Sequence, residues 1–597
     1  MRSKIIELMK DVLYCFKLSW ESSVFYTVIR LVGKILTPLL TLLLTFITKD
    51  IVNILSSNDA RDDKYYGIVL FLCIDLAIVI VLAMIDRIEQ YIESVHGEIL
   101  QKEISMKMMG QAINADLEFF DNSDFYDKFE AVGRDMNSIV NVMWSTISCI
   151  SSLITFVSTF IIVSELNIIY AILMVGIAIP SSLLNRKFTK ALYKLSLDQM
   201  NEERKLNYLY GIVTGREHAS DVRLYNIGDQ INQRYNNLWN HMFNNRKRVM
   251  KKKTTLVSLV DLLPFIIRFL ILFTIMLEVL DGSGTVGDYV LYAGVLEQLY
   301  SSVYSVSIQI LSIYEDKLRI DNVKSFEKID NKIQDDGNLL LEEFHTLEFK
   351  NVSFRYPGTD HQVLNNINFI IGKQERVALV GLNGSGKSTI IKLIMRFYDA
   401  DEGVIEINGI NIHQYKIESL RKAFSTCFQV PTIFGFTLRE NITIGDNESQ
   451  CDDRLVREAL QKGDGFDILK NATYGLDTYL TRYLDNEGLE LSGGQYQKVT
   501  LARAFYRPCQ FIILDEPSAA LDPEAEHKIF HKIKQLCENK TVLFTSHRLS
   551  NISIADKIIV LENGVIIEQG THKQLMNKQG RYYTLYNYQA EKFNQVS

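Results

Sequence analysis

The chain has 597 residues, of which 47% are hydrophobic and 23% are charged, and its formal net charge is −7 at pH 7. One hydrophobic core cannot hold a chain of this length, so two or more domains are expected. The acidic balance gives no reason to expect nucleic acid as a partner. The seven cysteines stand singly, without a CxxC pair or a cluster with histidine, so neither a zinc site nor a disulfide framework is indicated and a reducing cytosol is favoured.

The first half of the chain contains six stretches that could cross a membrane, since a crossing needs about 20 mostly apolar residues. The predicted spans are 24–48, 66–86, 139–164, 166–185, 256–280 and 288–312. Residues 1–20 mix apolar and charged positions and are expected to form an amphipathic helix along the membrane. The sequence therefore predicts an all-α membrane domain over 1–313, with the lipid bilayer as its partner.

Basic residues indicate which side of the membrane each connection faces. The long charged segments 87–138 and 186–253 are helical in pattern, and the second carries many lysines and arginines. The short connections 165–167 and 281–287 carry none. Because basic residues favour the cytoplasmic side, both long segments and both termini are predicted to lie in the cytoplasm, as in a multi-pass protein of the plasma membrane.

Ionisable and hydroxyl side chains interrupt several of these spans. A charge inside a membrane is costly unless it faces water or a partner, so one interpretation is an aqueous substrate cavity lined by Lys34, Asp261 and Arg268. The alternative is structural: the serine and threonine stripes would join helices, and Arg30 would extend to the inner membrane interface. The sequence leaves both interpretations open.

The composition changes near residue 314, and no further membrane span is predicted beyond it. Residues 314–344 are charged, first helical and then loop-like, and are predicted to be a linker. Strand patterns then alternate with helical ones, which predicts an α/β domain over 345–597 that, like the C-terminus, lies in the cytoplasm. The predicted strands are 347–356, 377–380, 511–514, 542–545, 558–561 and 565–567, the last two joined by an Asn-Gly turn at 563–564.

A glycine-rich loop, Gly381 to Ser388, lies between a predicted strand and a helical pattern at 390–395. This setting is typical of a phosphate-binding loop, because glycines let the backbone wrap around an anion that the helix N-terminus attracts. Lys387 adds a positive charge, and Ser388 offers a hydroxyl to Mg²⁺. A nucleoside triphosphate is the predicted ligand. The residues expected to bind it here are Gly381, Asn383, Gly384, Ser385, Gly386, Lys387, Ser388 and Thr389.

Two further motifs extend the predicted chemistry. The apolar strand at 511–514 ends in Asp515 and Glu516, of which the first suits the Mg²⁺ shell and the second suits polarisation of the attacking water. Upstream, a Leu-Ser-Gly-Gly-Gln segment at 491–495 opens a helical pattern and forms a second anion cradle. One triphosphate cannot easily use both cradles of one subunit, so two such domains are expected to face each other head to tail.

In order and spacing these motifs resemble an ABC-type ATPase, and the resemblance covers the whole second half of the chain. It implies ATP and Mg²⁺ as cofactors and adds roles that the residues alone do not give. Stacking of adenine on Tyr356 also has a physical basis, since a base stacks well on an aromatic ring. The implied roles are adenine stacking by Tyr356, linkage of Mg²⁺ and the membrane domain to the site by Gln429, binding of the opposite subunit's ATP by Ser492, Gly493, Gly494 and Gln495, linkage of the two sites by Asp522, and γ-phosphate contact by His547.

The first half resembles the six-helix membrane domain of ABC exporters. Segments near 117–129 and 219–226 resemble the short coupling segments that dock on the ATPase. Just before the second cradle, residues 485–488 read Asp-Asn-Glu-Gly, where multidrug exporters commonly have a Gly-Glu-Arg-Gly type of segment. Together with Tyr-Gln-Lys at 496–498, this resembles the half-transporters that export lantibiotics and related peptides. No N-terminal peptidase domain is expected, so a leader on the cargo would be removed by another protein.

These resemblances predict a homodimeric half-transporter that exports a peptide or another amphipathic cargo by alternating access, driven by ATP hydrolysis. Intact cradles together with Glu516 and His547 imply two competent ATP sites in the dimer. A multidrug or lipid exporter of the same architecture is the alternative. A soluble ABC ATPase acting on nucleic acid or ribosomes, and an importer, are further alternatives, but six predicted spans and the fusion of both halves in one chain count against them.

Overall fold

The computed structural model describes residues 2–57, 61–121, 123–327, 331–445, 452–518, 521, 523–536, 540–546, 552 and 554–594. The chain divides into two units. The first is Met1–Asn114 with Tyr126–Ile329, and the second is Ala115–Phe125 with Asp330–Ser597. The second unit therefore takes in a short piece of chain from the first half, which includes part of the segment 117–129 predicted to dock on the ATPase.

The first unit is helical. Asn167 separates two of its long helices and caps the second, since its side chain accepts a hydrogen bond from the Ile169 amide at 2.9 Å, so the predicted tight turn at 165–167 is confirmed. The helices, with the short α4 that belongs to the second unit, are α1 (Arg2–Ser22), α2 (Val24–Ser56), α3 (Arg61–Asn114), α4 (Leu117–Phe120), α5 (Ser123–Leu166), α6 (Ile168–Asp198), α7 (Met200–Thr214), α8 (Ala219–Leu224), α9 (Gly228–Val260), α10 (Leu262–Leu280) and α11 (Val286–Glu327).

In the described part of the chain, five helical segments are long and apolar enough to cross a membrane. They lie in α2, α3, α5 and α6 and in the continuous stretch Gly228–Leu280 that contains α9 and α10. The sixth predicted span, 288–312, lies in α11, which does not meet the same hydropathy criterion because serine, tyrosine and glutamine side chains dilute its apolar residues. The α11 helix is nevertheless 42 residues long, so its length is sufficient for a crossing.

An ion-pair cluster fastens the N-terminal helix to the last helix of the first unit. The Asp11 carboxylate is 5% exposed and lies 2.5 Å from the Lys324 ammonium and 3.6 Å from that of Lys317. The Lys324 ammonium also lies over the ring of Tyr14, 4.6 Å from its centroid. Because both cations come from α11, this contact holds α1 against the cytoplasmic extension that the sequence predicts for that helix.

The second unit contains two sheets. The smaller is antiparallel in the order β2-β1-β4-β5, and the larger has the order β10-β9-β3-β8-β7-β6, in which the strands from β9 to β6 run parallel. The strands are β1 (Thr346–Arg355), β2 (Gln362–Gly372), β3 (Arg376–Val380), β4 (Glu402–Ile407), β5 (Ile410–Asn411), β6 (Phe424–Cys427), β7 (Phe511–Leu514), β8 (Thr541–Thr545), β9 (Lys557–Glu562) and β10 (Val565–Gly570).

Helices and apolar side chains cover these sheets. The parallel strands are buried along their length, as expected when both faces of a sheet are covered. The α-helices are α12 (Lys387–Ile394), α13 (Ile417–Lys422), α14 (Leu438–Thr443), α15 (Asp453–Lys462), α16 (Phe466–Asn471), α17 (Gly493–Tyr506), α18 (Pro523–Leu536), α19 (His572–Lys578) and α20 (Arg581–Asn594), with 3₁₀ turns at Ile412–Gln414 and Gly475–Asp477.

The strand order fixes where the predicted motifs lie. Strands β3, β8, β7 and β6 are neighbours and parallel, so their carboxyl ends form one edge of the sheet. The phosphate loop follows β3, the acidic pair follows β7, and Gln429 follows β6. In open α/β sheets this edge is where ligands bind. The predicted α/β domain is confirmed, and so is the Asn563-Gly564 turn, whose residues have φ values of 48° and 75°.

Candidate active site

The phosphate loop needs its glycines for steric reasons. Gly384 and Gly386 have φ values of 77° and 103°, which residues with a side chain rarely adopt. A Cβ on Gly381 would lie 2.3 Å from the carbonyl oxygen of Leu561 and 2.6 Å from the Ser385 hydroxyl oxygen. Asn383 lies in the exposed tip of the loop. Side chains are therefore disfavoured at these glycine positions, and the loop backbone can approach a ligand closely.

Two polar groups inside the loop fit an anion. The Ser385 hydroxyl is buried, and among the described residues it has no hydrogen-bond partner. The Lys387 ammonium donates to the carbonyl oxygens of Gly381 and Leu382, each at 3.0 Å. Burial lowers the pKa of Lys387, while the carboxylates of Glu516 and Asp515 oppose that shift. A buried hydroxyl without a partner beside a desolvated cation is a suitable environment for phosphate oxygens.

Asp515 joins the loop to two strands of the sheet. Its carboxylate is buried and accepts hydrogen bonds from the Ser388 hydroxyl at 2.8 Å and from the Thr545 hydroxyl at 2.7 Å. The Thr545 oxygen in turn accepts from the backbone N–H of Glu516 at 2.8 Å. Sequence reasoning did not assign Thr545 a role, although its place at the end of β8, beside β7, was a signal for one.

Glu516 is held in a strained conformation that other side chains support. Its φ is 49°, its backbone carbonyl accepts from the Gln497 amide at 2.9 Å, and its carboxylate accepts from the Gln429 amide at 3.0 Å. Gln497, which lies on α17 behind the second cradle, is another contact that the sequence did not predict. Non-glycine residues with positive φ concentrate at functional sites because the surrounding structure must enforce them.

The three residues predicted to hold Mg²⁺, Ser388, Gln429 and Asp515, each carry a side-chain oxygen. In the described residues no group of three or more His, Cys, Asp and Glu side chains could hold a metal by itself. Ser388 and Asp515 are within hydrogen-bond distance of each other, and Gln429 contacts the carboxylate next to Asp515. This set of oxygen donors is sparse, as is usual for Mg²⁺ that completes its shell with water and phosphate oxygens, so the residues fit the ion.

Tyr356, the predicted adenine platform, lines a cavity of about 300 Å³ together with Phe354 and Tyr398. The Tyr356 hydroxyl is 3.1 Å from that of Thr389, just after the phosphate loop, and Lys392 lies over the tyrosine ring at 5.1 Å. The ring also meets Tyr398 edge to face, with centroids 5.4 Å apart. Tyr356 is thus held close to the phosphate loop, and adenine stacking on its ring stays a prediction.

Tyr398 also contacts the short piece of chain, Ala115–Phe125, that belongs to the second unit. Its hydroxyl donates to the Asp121 carboxylate. Burial and this carboxylate raise the pKa of Tyr398. Nearby, Asp116 accepts from the backbone amides of Lys332 and Ile333 at 2.6 and 3.0 Å. A segment from the first half of the chain is therefore fastened beside the tyrosine pair. The other predicted coupling segment, 219–226, contains α8.

The second cradle is a capped helix N-terminus. Ser492 is the N-cap of α17, and its side chain and that of Gln495 form reciprocal bonds to each other's backbone amides. Gly493 and Gly494 form the first turn, so the helix begins earlier than the predicted helical stretch at 496–505. The Ser492 oxygen accepts one hydrogen bond here, and its O–H remains able to donate. Two other residues with predicted roles, Asp522 and His547, lie outside the described residues.

The three charged residues predicted to line a membrane cavity each have a partner in the first unit. The Lys34 ammonium lies 2.5 Å from the Glu89 carboxylate. Asp261 accepts from the Ser181 hydroxyl at 2.6 Å, and Arg268 pairs with Glu297. These are three separate contacts on different helices.

Arg30 has partners within the first unit. It is 3% exposed, lies over the ring of Trp144 at 3.5 Å, and donates to Glu93 at 3.1 Å. The aromatic face and the carboxylate stabilise the guanidinium. Its predicted place at the inner membrane interface stays a prediction.

Sequence comparisons agree with this architecture. The pattern described as ABC transporter transmembrane region matches residues 24–303, and the pattern described as ABC transporter matches residues 364–519. The chain is 30% identical over 577 residues to the subtilin transport ATP-binding protein SpaT of Bacillus subtilis, covering 96% of this chain and 93% of that protein. It is 28% identical over 582 residues to the nisin transport ATP-binding protein NisT of Lactococcus lactis, covering 96% and 94%.

A solved structure has the same fold. The structure of a bacterial Atm1-family ABC exporter with ATP bound superimposes with a TM-score of 0.77, covering 94% of this chain and 98% of that chain at 23% identity. A helical membrane domain followed by an α/β ATPase domain is thus the architecture of the chain, as the sequence predicted.

Proposed function

The chain belongs to the ABC transporter family, and on that premise we propose that two copies of it form an exporter that moves a ribosomally made peptide out of the cytoplasm, driven by ATP hydrolysis. The observation that carries this proposal is the assembly of the phosphate loop, Asp515, Glu516 and Gln429 along one sheet edge, on the same chain as long apolar helices.

At each ATP site the chain's own residues would bind and orient the nucleotide and would deprotonate the attacking water. The loop N–H groups, the Ser385 hydroxyl and Lys387 bind the phosphates, while Tyr356 stacks on the adenine. Ser388, Gln429 and Asp515 would hold Mg²⁺, which would supply positive charge at the transferring phosphate. The Glu516 carboxylate accepts the proton of the water whose oxygen bonds to the γ-phosphorus as the bond to ADP breaks.

The second cradle supports the proposed homodimer. Ser492 and the N–H groups that follow it form an anion site on a different segment from the phosphate loop, and the Ser492 O–H is able to donate. In the proposed dimer each cradle closes on the γ-phosphate bound by the partner's loop, so ATP is held between subunits. Closure and hydrolysis would then change the arrangement of the membrane helices. The segment Ala115–Phe125, which is fastened beside Tyr398, would transmit this movement.

The peptide cargo is supported by the two relatives named for subtilin and nisin transport, which align with nearly the whole chain. The Asp-Asn-Glu-Gly segment at 485–488, which differs from the segment common in multidrug exporters, also favours a peptide cargo. We place the ATPase unit and both termini in the cytoplasm on the distribution of basic residues.

The test is to reconstitute the purified protein in vesicles and measure ATPase stimulation and transport. Subtilin and nisin precursor peptides, a fluorescent phospholipid and a hydrophobic dye serve as alternative cargoes. A peptide is expected to stimulate hydrolysis and enter inside-out vesicles in an ATP-dependent way. Stimulation and transport of dye or lipid without any response to the peptides would overturn the peptide assignment and favour a multidrug or lipid exporter.

A further inference from the structure

A basic cavity in the first unit is unrelated to the ATP site and to the predicted intramembrane charges. It lies between α6 and α11 and has a volume of about 380 Å³, within the ~300–1,000 Å³ range of small-molecule sites. From α6 it is lined by Leu183, Arg186, Lys187 and Lys190, among others. These positions follow the i, i+3, i+4, i+7 spacing of one helical face, so the three cations face the same space.

The cations are available to a ligand. Arg186, Lys187 and Lys190 are exposed, and none of them has an ion pair or hydrogen bond within the described parts of the chain. The cavity also contains the carboxylate of Glu315 from α11, so the lining carries three positive charges and one negative charge. A net positive site without internal partners favours an anionic ligand.

The other end of the cavity is apolar. Leu183 lies inside the predicted span 166–185 and Leu311 inside the predicted span 288–312, whereas Arg186 and Tyr314 follow those spans. Leu183 to Lys190 covers seven residues of helix, or about 10 Å. That distance matches the ~5–7 Å headgroup layer on one side of a bilayer together with the first part of the acyl region. Tyr314 and Tyr193, which line the same cavity, are residues of the kind enriched at this level.

We propose that this cavity binds the phosphate headgroup of an anionic phospholipid from the cytoplasmic leaflet, with the acyl chains against Leu183 and Leu311. Basic pockets between membrane helices on the cytoplasmic side are suited to such headgroups. A free anion would be satisfied by the charges alone, whereas the apolar end requires a chain attached next to the phosphate. The proposal goes beyond transport of a cargo and rests on the proposed cytoplasmic orientation of α6.

The test uses the purified full-length protein in detergent and counts retained lipids by native mass spectrometry after addition of phosphatidylglycerol or phosphatidylcholine. The variant carries Arg186→Gln, Lys187→Gln and Lys190→Gln. The matched control removes three exposed cations elsewhere in the same unit, with Arg204→Gln, Lys205→Gln and Arg234→Gln. The wild type and control should retain phosphatidylglycerol in preference to phosphatidylcholine. In the variant the ratio of retained phosphatidylglycerol to phosphatidylcholine should fall by roughly tenfold to a hundredfold.

Two further arms make the result specific. A charge-preserving variant, Arg186→Lys with Lys187→Arg and Lys190→Arg, should retain the lipid, and all variants should hydrolyse ATP equally in phosphatidylcholine nanodiscs, which shows that they are folded. Equal retention of phosphatidylglycerol by the glutamine variant would overturn the proposal. The proposal would also be overturned if glycerol 3-phosphate, which lacks acyl chains, displaced phosphatidylglycerol and bound as tightly as that lipid does. Neither outcome depends on whether the cargo is a peptide.

Discussion

The Gln429 side-chain amide donates a hydrogen bond to the carboxylate of Glu516, with 3.0 Å between Nε2 and Oε2. The two residues follow the neighbouring parallel strands β6 and β7. The positive φ of Glu516 costs about 1–3 kcal/mol. Glu516 is held in this conformation because it accepts hydrogen bonds from Gln429 and Gln497 and its backbone N–H donates one to Thr545. These contacts therefore stabilise one orientation of the Glu516 carboxylate, at the same edge of the sheet as the phosphate loop.

Replacement of Glu516 by glutamine should separate ATP binding from hydrolysis. The amide keeps the size of the side chain but cannot accept the proton of the attacking water, so the hydrolysis rate should fall about 10²–10⁴-fold. The affinity for ATP should stay within about twofold. Steady-state ATPase rates and equilibrium nucleotide binding measure the two quantities, and Glu402→Gln, at the exposed first residue of β4, is the control. Near-normal turnover by the Glu516 variant would contradict the assigned role.

Tyr398→Phe should weaken the link between the ATP site and the segment Ala115–Phe125. The change removes the donor to Asp121 but keeps the ring that packs against Tyr356, so basal hydrolysis should stay within about twofold. A hydrogen bond to a charged group contributes about 1.5–3 kcal/mol, and its loss should lower cargo-stimulated hydrolysis several-fold. The ratio of stimulated to basal ATPase activity is the measurement. Tyr474→Phe, at an exposed tyrosine, should leave that ratio unchanged, and an unchanged ratio in the Tyr398 variant would refute the link.

The pair Arg376 and Asp556 makes a pH-dependent contribution to the ATPase unit. The guanidinium donates to the carboxylate at 2.6 and 3.0 Å, and these bonds lower the pKa of Asp556. A lowered carboxyl pKa stabilises the fold above the unfolded-state pKa of about 3.9, and this contribution is lost as pH falls through the folded-state value. Because both groups are partly exposed, the contribution should be below about 1 kcal/mol.

Asp556→Asn should therefore lower the melting temperature at pH 7 by a few degrees at most, and the difference from the wild type should decrease once pH falls below about 4. Calorimetry of the purified protein between pH 3 and 7 measures it, with Asp360→Asn as the exposed control. A difference that grew on acidification would have the wrong sign and would exclude this linkage.

The ATPase motifs could be predicted because their signals are local. The predicted strands 377–380, 511–514 and 542–545 each differ from β3, β7 and β8 by no more than one residue at either end. Thr545 and Gln497 were missed because their bonds to Asp515 and Glu516 depend on strand order and on the packing of α17, which no short stretch of sequence encodes.

The membrane half shows the limit of hydropathy. Arg30 and Lys34 lie in the predicted span 24–48, yet their carboxylate partners, Glu93 and Glu89, lie beyond the predicted end of the next span at residue 86. The helices run antiparallel, so if α3 leaves the membrane near residue 86, the span in α2 begins after Lys34. A sliding average of apolar character cannot detect this register, because it is set by pairs on two different helices.

The pair of Lys34 and Glu89 tests whether Lys34 has a role beyond structure. Their charged groups lie 2.5 Å apart, with side chains 25% and 11% exposed, and Gly33 leaves room for the carboxylate, since a Cβ there would lie 2.8 Å from Oε1 of Glu89. Lys34→Gln would leave Glu89 buried without its partner and should cost about 3–5 kcal/mol, whereas the double variant Lys34→Gln with Glu89→Gln should regain most of that stability.

Thermal unfolding and cargo-stimulated ATPase activity, measured on the same three proteins, separate the two interpretations of this charge. If Lys34 is structural, stability and stimulation should fall together in the single variant and return together in the double variant. If Lys34 also contacts cargo, stability should return while stimulation stays low, because the cation is still missing. Since the ion pair already satisfies the charge without a ligand, we expect the two quantities to return together, and a stable double variant that no cargo stimulates would contradict this expectation.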